Sequence, residues 1–245
     1  MKYLALLLAS ALTACGGGGG GSPTASTVSL KIESPIPAYN LQAGMTNLYR
    51  SGFQTTFSLS GSSNTAGQYQ NLTGLLTLSA GGVVGAQFNS SPALQTSVRV
   101  IGTITLTDMY GNKSIAVNDS TLLMFNTNMD PVLTNQSTRH CESVGAGAYP
   151  TMLVSGQKGD ITTYACYTDS SRITPTGEEK ITYSTRYDPK GGLLVDITDT
   201  ETDAKGSVTL VETDTYNLTL NNQLTLTTIT VVGTKFGTTV NYTAQ

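Results

Sequence analysis

The 245-residue sequence contains few side chains that could do chemistry, and its only histidine, His140, stands directly before Cys141. Adjacent residues on an extended chain point to opposite sides, so this histidine is poorly placed to activate that thiol. We expect His140 to be a solvated loop residue. The sequence has no nucleophile-elbow, zinc-protease, paired C-x-x-C or P-loop motif, and one histidine does not complete a typical zinc site. These observations predict a non-enzymatic protein without a cofactor.

Carboxylates are the remaining reactive groups. Asp199, Glu201 and Asp203 alternate along the chain, so an extended strand would place them on one face. The spacing also matches the first half of a calcium-binding loop, but Ala204 occupies the glycine position and Leu210 the position of the final glutamate. We expect a solvated hairpin tip, with weak calcium binding by the three acidic residues as the alternative.

Glu178 and Glu179 predict a second acidic tip. A hydrolase of the glycosidase type needs only two carboxylates a few ångströms apart, so a carboxylate-based hydrolase is a further alternative. The sequence has no Trp, and the aromatic platforms that line such clefts are therefore not expected.

The N-terminal residues, MKYLALLLASALTAC, have the layout of a secretory leader, with Lys2 before an apolar run and small residues before Cys15. The run is shorter than the roughly 20 residues that span a bilayer. Leu12-Thr13-Ala14-Cys15 resembles the lipobox of bacterial lipoproteins. The resemblance implies that residues 1–14 are a signal peptide, that cleavage follows Ala14 and that Cys15 is acylated.

Residues 15–27 contain the lipidated cysteine and a glycine-rich stretch that predicts a flexible tether. Two or three acyl chains, at about 0.8 kcal/mol per buried methylene, anchor a protein stably to a membrane. Gly16 stands where inner-membrane retention signals usually place aspartate. The resemblance therefore implies a lipid-anchored outer-membrane protein of the bacterial envelope, on either the periplasmic or the surface face.

Two cysteines remain once Cys15 is assigned to the lipid. An exported protein enters an oxidising compartment, so Cys141 and Cys166 predict a disulfide. Two free buried thiols, or a nucleophilic cysteine, are the alternatives.

The pattern of the remaining chain is typical of an all-β protein. Thr, Val, Ile and Tyr alternate with polar residues, Gly, Asn, Asp and Pro interrupt them, and no stretch of 11 or more residues combines a helical period with a cap and a stop. Residues 139–245 predict a six-stranded up-and-down antiparallel meander, with strands at 161–168, 180–187, 193–200, 207–220, 224–232 and 236–242. The loops 188–192 and 203–206 contain Pro or Gly and predict turns.

Residues 28–138 are less regular and predict a half that resembles an antiparallel β-sandwich. Its expected strands are 28–32, 53–60, 72–79, 83–88, 97–107, 113–117 and 122–126. The polar segment 130–138 is the expected boundary, and the sequence leaves open whether the halves form two domains or one continuous β structure. An outer-membrane barrel is not expected, because Thr and Ser dominate the alternate positions and Trp is missing.

Composition excludes two classes of protein. Thirteen Lys and Arg against 16 Asp and Glu give a net charge of −3, and without a basic run a nucleic-acid partner is not expected. A polytopic membrane protein is not expected either, because the single apolar run lies at the N-terminus. Only 12% of the residues are charged, against roughly 25% in an average soluble protein.

These observations favour a non-enzymatic, lipid-anchored binding or structural module with an envelope protein as partner. A second hypothesis is a carrier of an apolar small ligand or lipid, with the meander curled into a half-barrel. The side chains expected to line that apolar interior are Ile181, Tyr183, Tyr187, Val195, Ile197, Tyr216, Leu218, Leu224 and Leu226.

Overall fold

The computed structural model describes residues 38–65, 67–235 and 238–245. These residues form one antiparallel sheet and one α-helix, α1 (Leu41–Ser51). The strands are β1 (Phe53–Thr65), β2 (Gln68–Ala80), β3 (Val84–Phe88), β4 (Ser91–Asp108), β5 (Gly111–Asn126), β6 (Pro131–Gln136), β7 (Arg139–Ser143), β8 (Lys158–Tyr167), β9 (Pro175–Tyr187), β10 (Leu193–Asp203), β11 (Val208–Leu218), β12 (Leu224–Lys235) and β13 (Thr238–Ala244).

Twelve of these strands close into a barrel. Each strand from β4 to β13 pairs with the next along the chain, β13 pairs with β1, and β1 pairs with β2. The pairing of β2 with β4, from Asn71 opposite Thr107 to Ala80 opposite Val98, closes the ring. The short β3 pairs with the first residues of β4 outside the ring. In this ring each of the twelve strands has a neighbour on both sides.

The prediction of an all-β fold is confirmed, but a sandwich followed by a separate meander is not found. Strands from both predicted halves belong to the same sheet, and the expected boundary at 138 falls in the turn between β6 and β7. Residues 111–126 form one strand, although the sequence predicted two. The leader, the tether with Cys15 and the expected strand 28–32 lie outside the described residues.

The turns of the C-terminal half agree with those read from the sequence. Gly191 N donates to Asp188 O over 2.9 Å, and Gly206 N donates to Asp203 O over the same distance. Gly191 and Gly206 both have positive φ, at 102° and 82°, which L side chains adopt with difficulty. Because hairpin length fixes register, these turns set the pairing of β9 with β10 and of β10 with β11.

The helix α1 contradicts the expectation of a chain without helices. The side chain of Asn40 caps its start by accepting a 2.8 Å hydrogen bond from Ala43 N, and Gly52, with φ of 70°, follows its last residue. Leu41, Met45 and Tyr49 form its buried stripe. The local signal is weak because the sequence LQAGMTNLYRS includes several poor helix formers, so tertiary packing must supply most of the stability.

The helix lies across one end of the barrel. Gln42 Nε2 donates to Asn128 O and Asn47 Nδ2 donates to Asn222 O, each over 3.1 Å, and Val83 N donates to Tyr49 O over 3.0 Å. The residues contacted belong to the turns β5–β6, β11–β12 and β2–β3, which all lie at the same end. We call this the α1 end. Within the described part of the chain, no helix is both long and apolar enough to cross a membrane.

Alternate residues of each strand face the inside and the outside of the barrel. The outward residues are mostly Thr, Ser and Asn, and threonine hydroxyls meet across neighbouring strands, as in Thr56–Thr77 at 2.9 Å and Thr198–Thr213 at 3.1 Å. The inward residues of β1, β2, β4, β12 and β13 are mostly apolar and form the core with α1. The inward residues of β9, β10 and β11 differ, because several are acidic.

Candidate functional site

Five carboxylates face the interior from β9, β10 and β11. We call this set the acidic wall; its members are Glu179, Asp199, Glu201, Glu212 and Asp214. The register places Glu179 directly opposite Glu201 and Asp199 directly opposite Glu212. Side chains opposite each other in an antiparallel pair have Cβ atoms about 4.5–5.5 Å apart. Both cross-strand pairs therefore bring two acidic groups together, an arrangement that costs free energy unless cations or protons compensate it.

The expectation of solvated acidic tips is wrong for the buried members of this wall. Glu179 is 1% exposed and Glu201 is 2% exposed, whereas the neighbouring Glu178 is exposed. Asp203 lies at the turn instead, where its Oδ1 accepts from Lys205 N and Ser207 N over 2.8 and 2.9 Å. The predicted calcium ligands are thus divided between the barrel interior and a turn.

A buried guanidinium pairs with one member of the acidic wall. Arg139, which is 8% exposed, forms an ion pair with Glu201, and its Nη2 donates to Glu178 O over 3.5 Å. Arg139 is the first residue of β7, so the pair joins two strands that are not neighbours in the sheet. The ion pair therefore spans the interior rather than following one strand pair.

Asp214 is a member of the wall whose proton affinity is altered by burial. It is 6% exposed, its Oδ2 accepts a long 3.5 Å hydrogen bond from the hydroxyl of Tyr216, and its Oδ1 has no hydrogen-bond partner among the described residues. Burial, together with the negative charge of Asp199, raises the pKa of Asp214 from 3.8 to about 7. Near neutral pH this group therefore exchanges a proton.

Tyrosines surround the acidic wall. Tyr49, Tyr149, Tyr164 and Tyr216 line the same cavity. Burial raises the pKa of each of these phenols, so all four are neutral at physiological pH. Burial, and then the charges of Glu212 and Asp214, raise the pKa of Tyr242, whose hydroxyl has no hydrogen-bond partner among the described residues.

The cavity bounded by these groups has a volume of about 110 Å³. Met45 and Tyr49 of α1 reach it from the α1 end, and Leu123, Ile181 and Ile197 supply apolar contact from the barrel wall. The interior is therefore mixed, with carboxylates and phenols on some sides and apolar side chains on others. Such a lining is typical of sites that hold small ligands by both burial and a few polar contacts.

The structure joins Cys141 and Cys166 in the predicted disulfide, which links facing residues of β7 and β8. The bond packs with Tyr164 and Ile181 on the interior side, and Cys166 Sγ lies 3.7 Å from Glu179 Oε2. Among the described residues, these cysteines and Glu179 form the one group of three possible metal ligands whose donor atoms lie within 4.8 Å of one another. Because both sulfurs are bonded to each other, they offer no thiolate to a metal.

His140 is not the solvated loop residue that we expected. It lies on β7, is 6% exposed, and its Nε2 is 2.7 Å from Glu142 Oε1 while its Nδ1 is 3.3 Å from Asn135 Oδ1. Arg172 also donates to Glu142 over 2.8 Å. Strand alternation places His140 on the side opposite Cys141, so this cluster lies outside the cavity.

The side chains predicted for an apolar half-barrel face the interior with one exception. Ile181, Ile197 and Tyr216 line the cavity, Tyr183 is half-buried, and Tyr187 is 64% exposed at the end of β9. The buried core contains Val195, Leu218, Leu224 and Leu226. The sequence reasoning missed Glu212, Asp214 and three of the cavity tyrosines, Tyr49, Tyr149 and Tyr164.

A signal for the missed residues is present in the alternation of β11. Leu210, Glu212, Asp214, Tyr216 and Leu218 occupy successive inward positions, so two acids stand within an otherwise apolar series.

Comparisons with protein-family models, with curated proteins and with solved structures found no match.

Proposed function

We propose that the chain is a non-enzymatic, lipid-anchored binding protein of the bacterial outer membrane that holds a small ligand inside its barrel. The observation that carries the proposal is the cavity beneath α1, where Asp214 buries a carboxylate oxygen that has no hydrogen-bond partner among the described residues. Buried polar atoms are normally satisfied, and unsatisfied ones are expected where a ligand supplies the missing partner.

Two groups that could serve nucleophilic catalysis do not contribute to this cavity. The cysteines are bonded to each other, and His140 lies on the outward side of β7 with Glu142 and Asn135 as its partners. This arrangement favours binding over nucleophilic catalysis. The unsatisfied carboxylate oxygen of Asp214 also favours a ligand other than a purely apolar lipid, because a lipid chain offers it no hydrogen bond.

Blocking the cavity tests the binding proposal. Ile197→Phe adds volume to the cavity wall, and a steric cost of about 1–3 kcal/mol should reduce ligand affinity roughly tenfold. We expect native mass spectrometry of full-length protein, purified from its own membrane, to show a bound small molecule whose occupancy falls in this variant. Thr198→Phe is the matched control, because Thr198 is the next residue of β10 and faces outward to Thr213. Equal occupancy in both variants would argue against a ligand in the cavity.

The membrane anchor is tested separately. Cys15→Ala should abolish incorporation of labelled fatty acid and release any processed protein from the membrane fraction, because the acyl chains supply the attachment. Radiolabelled palmitate and membrane fractionation measure both effects. Ser10→Ala, which leaves the lipobox cysteine in place, should remain labelled and membrane-bound. A Cys15→Ala protein that is fully processed and still membrane-bound would contradict the lipid anchor.

A further inference from the structure

We propose that the α1 end of the barrel lies against the membrane that holds the acyl anchor and contacts its anionic phospholipid headgroups. The proposal rests on the lipid anchor of the proposed function and adds the orientation of the barrel to it. The barrel then stands with the α1 end toward the lipid and the opposite end toward solvent.

The described chain enters the barrel at the α1 end. Tyr39 N donates to Leu153 O over 2.9 Å, and Leu41 N donates to Pro150 O over 3.1 Å. Both acceptors belong to the loop between β7 and β8, which therefore lies at the α1 end as well. The turn between β9 and β10 also lies there, because β9 and β11 run in the same direction. An acyl group on Cys15 is thus joined to the barrel at this end and draws it toward the lipid.

The exposed charges of the α1 end are cations. Arg50 in the last turn of α1, Lys158 at the start of β8 and Lys190 in the turn between β9 and β10 are all exposed. Among the described residues, the acidic members of the α1-end turns are Asp130 and Asp188, which are only 9% and 8% exposed. Anionic headgroups attract lysine and arginine side chains that are held near the membrane surface. The exposed charge of this end therefore complements an anionic bilayer.

Away from the α1 end, the exposed charges have both signs. Asp169 and Arg172 are exposed in the loop between β8 and β9. On the outer face of the barrel, Asp160 pairs with Lys180 over 2.9 Å. A surface with balanced charges gains little from anionic headgroups, so charge selects the α1 end.

Exposed apolar side chains lie among the cations of the α1 end. Five of them, in or next to its turns, are between 57% and 74% exposed: Val84, Val144, Met152, Tyr187 and Leu220. Apolar groups beside lysine and arginine are typical of surfaces that lie in the membrane interface. The opposite end exposes Tyr69, Met109, Tyr110, Ile173 and Val208. Apolar exposure is therefore common to both ends, and the charges and the entry of the chain distinguish them.

A single tryptophan reports which end meets the lipid, because the sequence has none. Met152→Trp places the probe at the α1 end, where Met152 is 74% exposed. Met109→Trp is the matched control in the turn between β4 and β5 at the opposite end, where Met109 is 88% exposed. The full-length acylated protein is reconstituted in vesicles of phosphatidylethanolamine and phosphatidylglycerol that contain a brominated phospholipid. We expect the fluorescence of Met152→Trp to shift to shorter wavelength and to be quenched, and that of Met109→Trp to change in neither respect.

Lys190→Gln tests the contribution of charge. Added to Met152→Trp, it should lower the ratio of docked to undocked barrel about fivefold and reduce quenching accordingly, because each cation near an anionic surface adds to the attraction. Lys205→Gln is its matched control at the opposite end. Each lysine is the third residue of an Asp-x-Lys-Gly turn, and its backbone N donates to the first residue, over 2.9 Å to Asp188 Oδ1 and 2.8 Å to Asp203 Oδ1. Lys205→Gln should leave the quenching unchanged.

Fatty acid labelling of the same preparations separates the membrane contact from the anchor. Equal quenching of Met152→Trp and Met109→Trp, or quenching that Lys190→Gln does not reduce, would overturn the assigned contact. A labelled protein in which Met152→Trp stays unquenched would overturn the contact and leave the anchor standing. An unlabelled protein in which Met152→Trp is quenched on mixing with the same vesicles would overturn the anchor and support the contact. If neither label nor quenching is found, both proposals fail.

Discussion

Arg139→Met should lower the free energy of unfolding by about 3–5 kcal/mol, because removing one partner of a buried ion pair leaves the other charge poorly compensated. Arg139 is 8% exposed and Glu201 is 2% exposed, so water cannot replace the guanidinium without opening the barrel. The loss of stability should be greatest at β7 and β10, the two strands that the ion pair connects. Urea denaturation at pH 7.5, followed by circular dichroism, measures the change.

Two further variants show whether burial of charge is the cause. Arg139→Met combined with Glu201→Leu should recover most of the lost stability, because both charges are then removed. Lys180→Met breaks the exposed pair with Asp160, in which the side chains are 49% and 66% exposed, and should cost at most about 1 kcal/mol. If Arg139→Met costs no more than Lys180→Met, the interior pair does not carry the stability that we assign to it.

The local structure of the C-terminal half could be predicted because its signals are local. Asp188-Pro-Lys-Gly-Gly192 and Asp203-Ala-Lys-Gly206 contain residues that favour turns, and strict alternation on either side fixes the strands. The observed β9, β10, β11 and β12 overlap the predicted strands almost entirely. A hairpin needs only neighbouring residues, so the sequence pattern suffices.

Closure of the barrel could not be predicted in the same way. It depends on the pairing of β2 with β4 and of β1 with β13, and the second of these joins residues near opposite ends of the described chain. Alternation of apolar and polar residues predicts that a segment is a strand, but it does not predict which other strand it pairs with. The short strands β6 and β7 were missed for a different reason, because residues 131–143 are polar and resemble a linker when read alone.

The candidate site was missed because the alternation rule assigns charged residues to the outside. Three acidic residues occupy inward positions of their strands: Glu179, Asp199 and Glu201. When only the sequence is known, their charge predicts a solvated hairpin tip. Local rules are expected to fail at functional sites, where a protein accepts a cost in stability for binding. A charged residue at a strand position that alternation assigns to the inside is therefore informative about the interior of this barrel.

Asp214→Asn should raise the free energy of unfolding at pH 8 by about 4 kcal/mol at most, with little change at pH 4. Burial raises the pKa of Asp214 from 3.8 to about 7, so the folded state holds a proton that the unfolded state has lost between these values. Wild-type stability therefore falls as pH rises from about 4 to about 7, and asparagine removes that dependence. Urea denaturation of both proteins at pH 4, 6 and 8 measures the difference.

Asp108→Asn provides a control of opposite sign. Hydrogen bonds from Gln70 Nε2 and Tyr110 N, at 3.0 and 2.7 Å, lower the pKa of this carboxyl. Its folded state favours the ionised form, so the variant should lose stability at neutral pH and match wild type only in acid. If the free energy of unfolding of the wild type stays constant from pH 4 to pH 8, the pKa of the buried Asp214 is not raised as we expect. A variant that gains stability while losing its bound ligand would instead show that this carboxylate is retained for recognition at the expense of stability.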